Sequence, residues 1–259
     1  MGGFLFNEVI FGPIKSRRLG ISLGINLLPT HQKICNYNCI YCECGWNTQP
    51  ISNDNMLPSR LEVKNALSEK LVLMKKFNNP LDSITFAGNG EPSLHPEFAG
   101  IVDDVIELRN IYYPLASTTV LSNAGLLNDT SIFAALKKLD NNILKLDAGS
   151  NRMYHLINRG AENITINQIV ENLKKFEGKL VVQTLFLRGR YNNEIIDNTT
   201  EEEVNLWLGH IAAIHPDYVM IYPIDRATPA DNLEKTTRKT LENIAAKVNA
   251  IGIATKVYD

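Results

Sequence analysis

Short apolar segments alternate with amphipathic helical patterns along most of this 259-residue chain, and that alternation limits the possible folds most strongly. Apolar strands are predicted at residues 21–28, 83–87, 118–121, 142–146, 180–187 and 218–222, with an added edge strand at 253–257. Helical patterns follow them at residues 58–77, 98–106, 128–139, 165–173, 200–211 and 237–250. Strands that are apolar on both faces and alternate with helices form parallel sheets covered by helices, so an α/β fold is predicted.

Six strand–helix units are too few for a closed eight-stranded barrel. The prediction is therefore an open, partial (βα)6 TIM-like barrel. A flat, doubly wound sheet is the competing architecture, and the strand count alone does not separate the two. No low-complexity linker or break in composition interrupts the chain, so one domain over residues 1–259 is expected.

Composition narrows the possible partners. The 26 basic and 28 acidic residues give a net charge of −2, so no overall basic field draws the chain to nucleic acid or anionic lipid. No apolar run reaches the roughly 18 residues that a membrane span needs. The first residues lack the basic region and cleavage site of a secretory signal. We expect a soluble cytoplasmic protein with no membrane partner.

All four cysteines, Cys35, Cys39, Cys42 and Cys44, lie within ten residues. A disulfide framework gains most from closing long loops, so this clustering favours a metal or cluster site instead. The spacing Cys35-x3-Cys39-x2-Cys42 suits three irons of a cubane cluster, and no distant cysteine remains for the fourth iron. An open iron can take an exchangeable ligand. A structural zinc site that uses all four thiols is the alternative, although zinc ligands usually form two pairs a dozen or more residues apart.

Polar or glycine-rich residues follow each predicted strand, where barrels and open α/β sheets place their chemistry. These positions are the cysteine loop at residues 34–45, residues 88–91, Ser122 with Asn123, Asp147, Arg188, and Asp225 with Arg226. Because the carboxyl ends of parallel strands lie at the same edge of a sheet, we expect these positions to lie together at one rim of the barrel.

The CxxxCxxC spacing, with Tyr41 just before the third cysteine, resembles the signature of the radical S-adenosylmethionine (radical SAM) superfamily. The GNGEP string at residues 88–92 is similar to the glycine-rich, glutamate-containing motif of that superfamily. The strings GPIKSRRLGISLGINLLP, TLFLRG and IYPIDRATPA resemble a compact subgroup of wyosine-synthase-like iron–sulfur oxidoreductases. The resemblance implies a partial barrel, a [4Fe-4S] cluster, S-adenosylmethionine, and an electron donor such as flavodoxin or ferredoxin.

The resemblance also implies roles for individual residues. Cys35, Cys39 and Cys42 would hold the cluster, while Cys44 would be a bystander. Asn89, Gly90 and Glu91 match the motif that receives the methionyl amine, although the superfamily often has glycine where Asn89 stands. The other cofactor contacts implied are Tyr41 near the adenine, Ser122, Asn123 and Asp147 near the sulfonium, carboxylate or ribose, Gln183 or Thr184 on the fifth strand, and Tyr222 bordering the adenine.

The implied reaction is one-electron cleavage of S-adenosylmethionine to methionine and a 5′-deoxyadenosyl radical, which abstracts hydrogen from a substrate. Basic residues at Arg17, Arg18, Arg188 and Arg226 indicate an anionic substrate, and a nucleotide or RNA base is the first hypothesis. A peptide or small molecule, or an activase of a glycyl-radical enzyme, are alternatives; activases often carry tryptophan at the position of Tyr41. An electron carrier or a zinc module are the non-enzyme alternatives.

Overall fold

The computed structural model describes residues 3–47 and 57–259. Its strands, in chain order, are β1 (Ile10–Ser16), β2 (Gly20–Ile25), β3 (Ser83–Phe86), β4 (Ser117–Ser122), β5 (Asn141–Lys145), β6 (Val181–Leu185), β7 (Leu187–Tyr191), β8 (Glu194–Asp197), β9 (Tyr218–Tyr222), β10 (Leu233–Lys235) and β11 (Ala254–Val257). Its helices are α1 (Arg60–Lys76), α2 (Phe98–Tyr112), α3 (Thr130–Leu136), α4 (Asn151–Ile157), α5 (Ile166–Lys174), α6 (Glu201–Ile214) and α7 (Arg238–Ala250).

The main sheet has the strand order β1-β2-β3-β4-β5-β6-β9-β11. Only the β1–β2 pair is antiparallel, and each following strand is parallel to its neighbour. A doubly wound sheet reverses its strand order at a switch point, whereas this order runs in one direction. The doubly wound alternative is therefore wrong, and the open, partial barrel is confirmed. A second, antiparallel sheet has the order β10-β7-β8.

Local capping chemistry sets where several helices begin. Ser59 with Glu62 and Thr165 with Gln168 form capping boxes before α1 and α5. Asp129 caps α3, because its carboxylate accepts the amides of Ser131 and Ile132 in the first turn.

The long strand predicted at residues 180–187 is divided into β6 and β7. The buried Asn198 side chain accepts a hydrogen bond from Leu187 N (2.8 Å) and donates one to Leu185 O (2.8 Å). The Asn198 amide forms the backbone hydrogen bonds that a neighbouring strand would otherwise form, and the strand is interrupted at Phe186. The edge strand β1 and the short helix α4 have no counterpart in the sequence prediction.

The two faces of the main sheet differ in chemistry. The helix-covered face holds the larger apolar core, which includes Trp207 and Phe86. The concave face carries a small apolar group around Met220 and hydrogen-bonded polar pairs, among them Ser22 with Thr85 at 2.8 Å. The prediction that both faces of the strands are apolar is thus wrong for β2 and β3. Among the described residues, no helix combines the length and apolarity that crossing a bilayer requires.

Candidate functional site

The cysteine loop is hydrogen-bonded directly to the loop that follows β3. Ile34 N donates to Asn89 O (2.9 Å), and Glu91 N donates to Ile34 O (3.1 Å). Gly90 lies between these bonds with φ +138°, and a Cβ at this position would overlap the carbonyl oxygen of Ile34. Only glycine tolerates both this backbone conformation and this close approach. The two sequence motifs therefore form one structural unit at the carboxyl end of the sheet.

Amide groups surround two of the predicted ligand sulfurs. Cys35 Sγ accepts from Tyr37 N (3.4 Å) and lies 3.5 Å from Asn123 Nδ2. Cys39 Sγ, which is buried, lies 3.5 Å from Asn158 Nδ2. Donors of this kind stabilise sulfur ligands and tune the potential of iron–sulfur clusters.

The thiols differ in acidity in the metal-free protein. Burial raises the pKa of Cys35 to about 12 and that of Cys39 to about 11. A hydrogen bond with the Cys44 thiol lowers the pKa of Cys42 to about 5, and the same interaction raises the pKa of Cys44. The buried ammonium of Lys33, which donates to Gly45 O (2.9 Å), also lowers the pKa of Cys42. Binding of a metal at Cys35 and Cys39 would displace the protons that these thiols hold.

This donor set fits a cluster that is held by three thiolates. The sulfurs lie on one short loop, the charge of each affects the pKa of the next, and amides reach Cys35 and Cys39. Within residues 3–47 and 57–259, no three His, Cys, Asp or Glu side chains converge on a single ion position. Three thiolates that each bind a different iron of a cubane do not need to converge in this way.

The Glu91 carboxylate organises the ends of two strands. Its Oε1 accepts from Ser93 N (3.2 Å), Ser93 Oγ (2.5 Å) and Ser122 Oγ (2.9 Å), and its Oε2 accepts from Asn123 N (2.7 Å). Burial raises the pKa of Glu91, and the hydrogen bond from Asn123 N opposes that shift. Ser122 and Asn123 therefore contact Glu91 directly, and one lone-pair direction of Oε2 remains for a further donor.

Tyr41, Lys145 and Asp147 form a hydrogen-bonded network beside the cysteine loop, in which Tyr41 and Asp147 are buried and Lys145 is partly buried. Tyr41 Oη donates to Asp147, and Lys145 Nζ donates to Tyr41 Oη (2.7 Å). Lys145 Nζ also lies 3.6 Å from Asp147 Oδ2. Burial alone would lower the pKa of Lys145, but the charge of Asp147 reverses this effect and the pKa is raised. The Lys145 side chain is therefore a cation at the barrel mouth.

A cavity of about 510 Å³ runs from the cysteine loop across the concave face of the sheet. The predicted site residues that line it are Tyr41, Cys42, Gly90, Gln183, Tyr222, Arg17, Arg18 and Arg226. Asn89, Glu91, Ser122, Asn123 and Asp147 are buried in its supporting wall. Of the two candidates on the fifth strand, Gln183 faces the cavity, whereas Thr184 lies under α6 and accepts from Trp207 Nε1 (3.2 Å).

The predicted basic residues lie in different environments. Arg17 pairs with Asp225 (2.7 Å) and Arg226 pairs with Glu43 (2.7 Å), both at the cavity. The Arg18 guanidinium lies 5.0 Å from the centre of the Tyr222 ring and, among the described residues, pairs with no carboxylate. Arg188 lies on β7, pairs with Glu234 (2.8 Å), and does not belong to the described cavity lining.

Several site residues were missed by the sequence prediction. Lys145 is a charged residue within an apolar strand, and that signal was available in the string NILKL. Phe6 and Phe11 line the cavity from a segment with no strand or helix pattern and from the unpredicted β1. Asn158 reaches Cys39 from the end of α4, and nothing in its local sequence signals this contact.

Comparison with known proteins gives the same picture. The sequence profile of the Radical SAM superfamily matches residues 30–200. A UPF0026 protein of Helicobacter pylori strain J99 is 31% identical over 185 residues, which is 70% of this chain and 57% of the relative. The chain thus spans a little over half the length of this relative.

Solved structures with the same fold include a radical SAM methyltransferase from Sphaerobacter thermophilus. It has a TM-score of 0.67 at 13% identity over 92% of this chain and 65% of its own. TYW1 with a lysine-pyruvate adduct bound has a TM-score of 0.60 at 16% identity over 88% of this chain and 73% of its own. At these identities the likeness concerns the fold.

Proposed function

The chain belongs to the Radical SAM superfamily, and from that premise we propose that it is an enzyme that uses S-adenosylmethionine to abstract hydrogen from an anionic substrate, a nucleotide or RNA base being the first candidate. Members of the superfamily use a [4Fe-4S] cluster and S-adenosylmethionine, and they need a reductant. The observation that carries the proposal is the joining of the cysteine loop to the residue 88–91 loop beside a cavity that Arg18 also lines.

Cys35, Cys39 and Cys42 would hold the cluster, and the residue 88–91 loop would face S-adenosylmethionine. When bound, these groups supply the one-electron cleavage that generates a 5′-deoxyadenosyl radical. The chain itself binds and orients S-adenosylmethionine and the substrate, and it excludes water from the site. Glu91 keeps one acceptor direction for the methionyl amine, and Gln183 and Tyr222 line the wall that would meet the nucleoside. Free thiols and an iron–sulfur cluster suit a reducing compartment, which supports a cytoplasmic location.

Anaerobic reconstitution tests the cofactor part of the proposal. The protein should become brown with about four irons per chain and release 5′-deoxyadenosine when given reductant and S-adenosylmethionine. Cys42→Ala should abolish both properties, and Cys44→Ala should preserve them. A colourless, iron-poor preparation would contradict the proposal, and an electron carrier would hold iron without releasing 5′-deoxyadenosine.

Arg18 is the favoured anchor for the substrate anion. Its guanidinium is held over the Tyr222 ring while its hydrogen-bonding fork has no carboxylate partner among the described residues. Loss of a charge-assisted hydrogen bond in Arg18→Met should raise KM for an anionic substrate roughly 10- to 100-fold. Release of 5′-deoxyadenosine without substrate should stay unchanged.

Arg188→Met is the matched control, since Arg188 lies outside the described cavity lining. The substrate is identified by deuterium transfer into 5′-deoxyadenosine from labelled nucleotide, RNA, peptide and small-molecule pools. Transfer from the nucleotide or RNA pool supports the first candidate. Transfer from a peptide pool, or from a glycyl-radical partner enzyme, would replace it with the corresponding alternative.

A further inference from the structure

Residues 3–8, here called the N-terminal strap, precede β1 and lie across the cysteine loop. The strap forms no helix or strand of its own. Phe4 N donates to Glu43 O (2.8 Å), so one end of the strap is bonded to the cysteine loop. The strap therefore depends on side-chain and loop partners rather than on a sheet for its position.

Asn89 holds the middle of the strap through two reciprocal hydrogen bonds. Phe6 N donates to Asn89 Oδ1 (2.8 Å), and Asn89 Nδ2 donates to Phe6 O (2.8 Å). Asn89 Nδ2 also donates to Pro29 O (2.8 Å), and the residue has 0% exposure. The Asn89 amide pairs with Phe6 as a neighbouring strand would, so that both the N–H and the C=O group of Phe6 are hydrogen-bonded. A glycine at position 89 could not make these bonds.

The aromatic rings of the strap pack at the β1 edge of the main sheet. The rings of Phe6 and Phe11 stack with centroids 3.7 Å apart and an angle of 19° between their planes. The Phe11 ring lies directly on Gly24 of β2, where a Cβ would overlap it. Phe4 stands edge-on to Phe6 (5.1 Å) and lies beneath the Arg226 guanidinium. Phe4, Phe6 and Phe11 all line the cavity.

We propose that the N-terminal strap is a wall of the reaction chamber, that Asn89 is its positioning residue, and that Phe6 seals the gap between the cysteine loop and the edge strand β1 against water and oxygen. An enclosed, dry site protects reactive intermediates from side reactions. The chamber role rests on the proposed function, whereas the attachment of the strap through Asn89 does not.

Amide hydrogen exchange of the full chain without cofactors tests the attachment. The Phe6 amide should exchange slowly, and Asn89→Ala should accelerate its exchange about tenfold or more. Exchange of amides in β6 should stay unchanged, which separates local release of the strap from unfolding. Asn243→Ala, on the exposed face of α7, is the matched control and should have no effect. A Phe6 amide that exchanges without protection in the wild type would overturn the proposal.

Lifetime of the reconstituted cluster in air tests the sealing role. Phe6→Ala removes the ring and leaves the Asn89 bonds in place, so the brown absorbance should disappear severalfold faster than in the wild type. Phe77→Ala, a phenylalanine that is 63% exposed at the end of α1, is the control and should match the wild type. Equal lifetimes for Phe6→Ala and the wild type would overturn the sealing role. If no cluster forms in the wild type, the proposed function fails and the exchange experiment still decides the attachment.

Discussion

Glu91→Gln tests whether hydrogen bonds to the buried carboxylate hold the two strand ends together. Glu91 is 2% exposed and accepts from four donors, three at Oε1 and one at Oε2. Glutamine has the same shape but only one acceptor oxygen. With that oxygen towards the three donors, its NH₂ group faces Asn123 N, which then has no acceptor.

The expected change in the free energy of unfolding follows from this one unpaired N–H group. A buried donor left without its acceptor costs about 1–3 kcal/mol, and we expect the free energy of unfolding to fall by that amount at neutral pH. A second effect opposes it, because burial raises the pKa of Glu91 and a neutral side chain avoids this desolvation. Because the pKa of Glu91 is raised in the folded protein, its carboxyl contributes its full stabilisation of the fold at pH values below the ordinary pKa of 4.5. This contribution is lost as the pH rises through the pKa of the folded protein.

Urea unfolding of the metal-free protein, followed by circular dichroism across a pH series, measures both effects. The stability of the wild type relative to Glu91→Gln should fall as pH rises above 4.5, because only the wild type carries the titrating carboxyl. Glu69→Gln, on the exposed side of α1, should stay within about 0.5 kcal/mol of the wild type. A Glu91→Gln protein that equals or exceeds the wild type at neutral pH would refute the claim that these hydrogen bonds dominate.

Three further substitutions test other parts of the site. Gly90→Ala should remove the bridge between the two loops and prevent cluster loading, whereas Gly209→Ala, in an open position of α6, should stabilise the protein by about 0.5–1 kcal/mol in urea unfolding. Asp147→Asn should leave the partly buried Lys145 ammonium without its carboxylate partner and lower the free energy of unfolding by about 3–5 kcal/mol in urea unfolding. Cys44→Ala should raise the pKa of Cys42 from about 5 towards its ordinary value, so that alkylation of Cys42 in the metal-free protein slows at pH 6 to 7.

Periodicity and motif spacing predicted the parts of this structure that depend on local sequence. The apolar stripes placed the strands and helices, and the spacing of Cys35, Cys39 and Cys42 indicated the superfamily. The string at residues 88–92 indicated a partner loop at the same rim, and the structure joins the two through Ile34 and Gly90. Each of these features is a pattern within a short stretch of the chain, so a single sequence is enough to see it.

Contacts between distant residues could not be predicted in this way. The hydrogen bonds that the Asn89 amide forms with Phe6 and Pro29 join residues 83 and 60 positions apart. The division of the longest strand depends on Asn198, eleven residues beyond Leu187. Both features depend on which distant residue a polar side chain contacts, and local sequence patterns do not contain that information.

The same long-range contacts connect the cavity to the cysteine loop. Lys145 Nζ, at the cavity, donates to Tyr41, Tyr41 donates to Asp147, and Asn158 Nδ2 donates to Asp147 (2.7 Å) while lying 3.5 Å from Cys39 Sγ. In a buried setting each member of such a network polarises the next, and removal of one leaves another unsatisfied. A negative charge that binds beside Lys145 would weaken its pull on Tyr41 and Asp147. The Lys145 charge also lowers the pKa of Cys39, so a ligand that neutralises Lys145 would change the electrostatic surroundings of that sulfur.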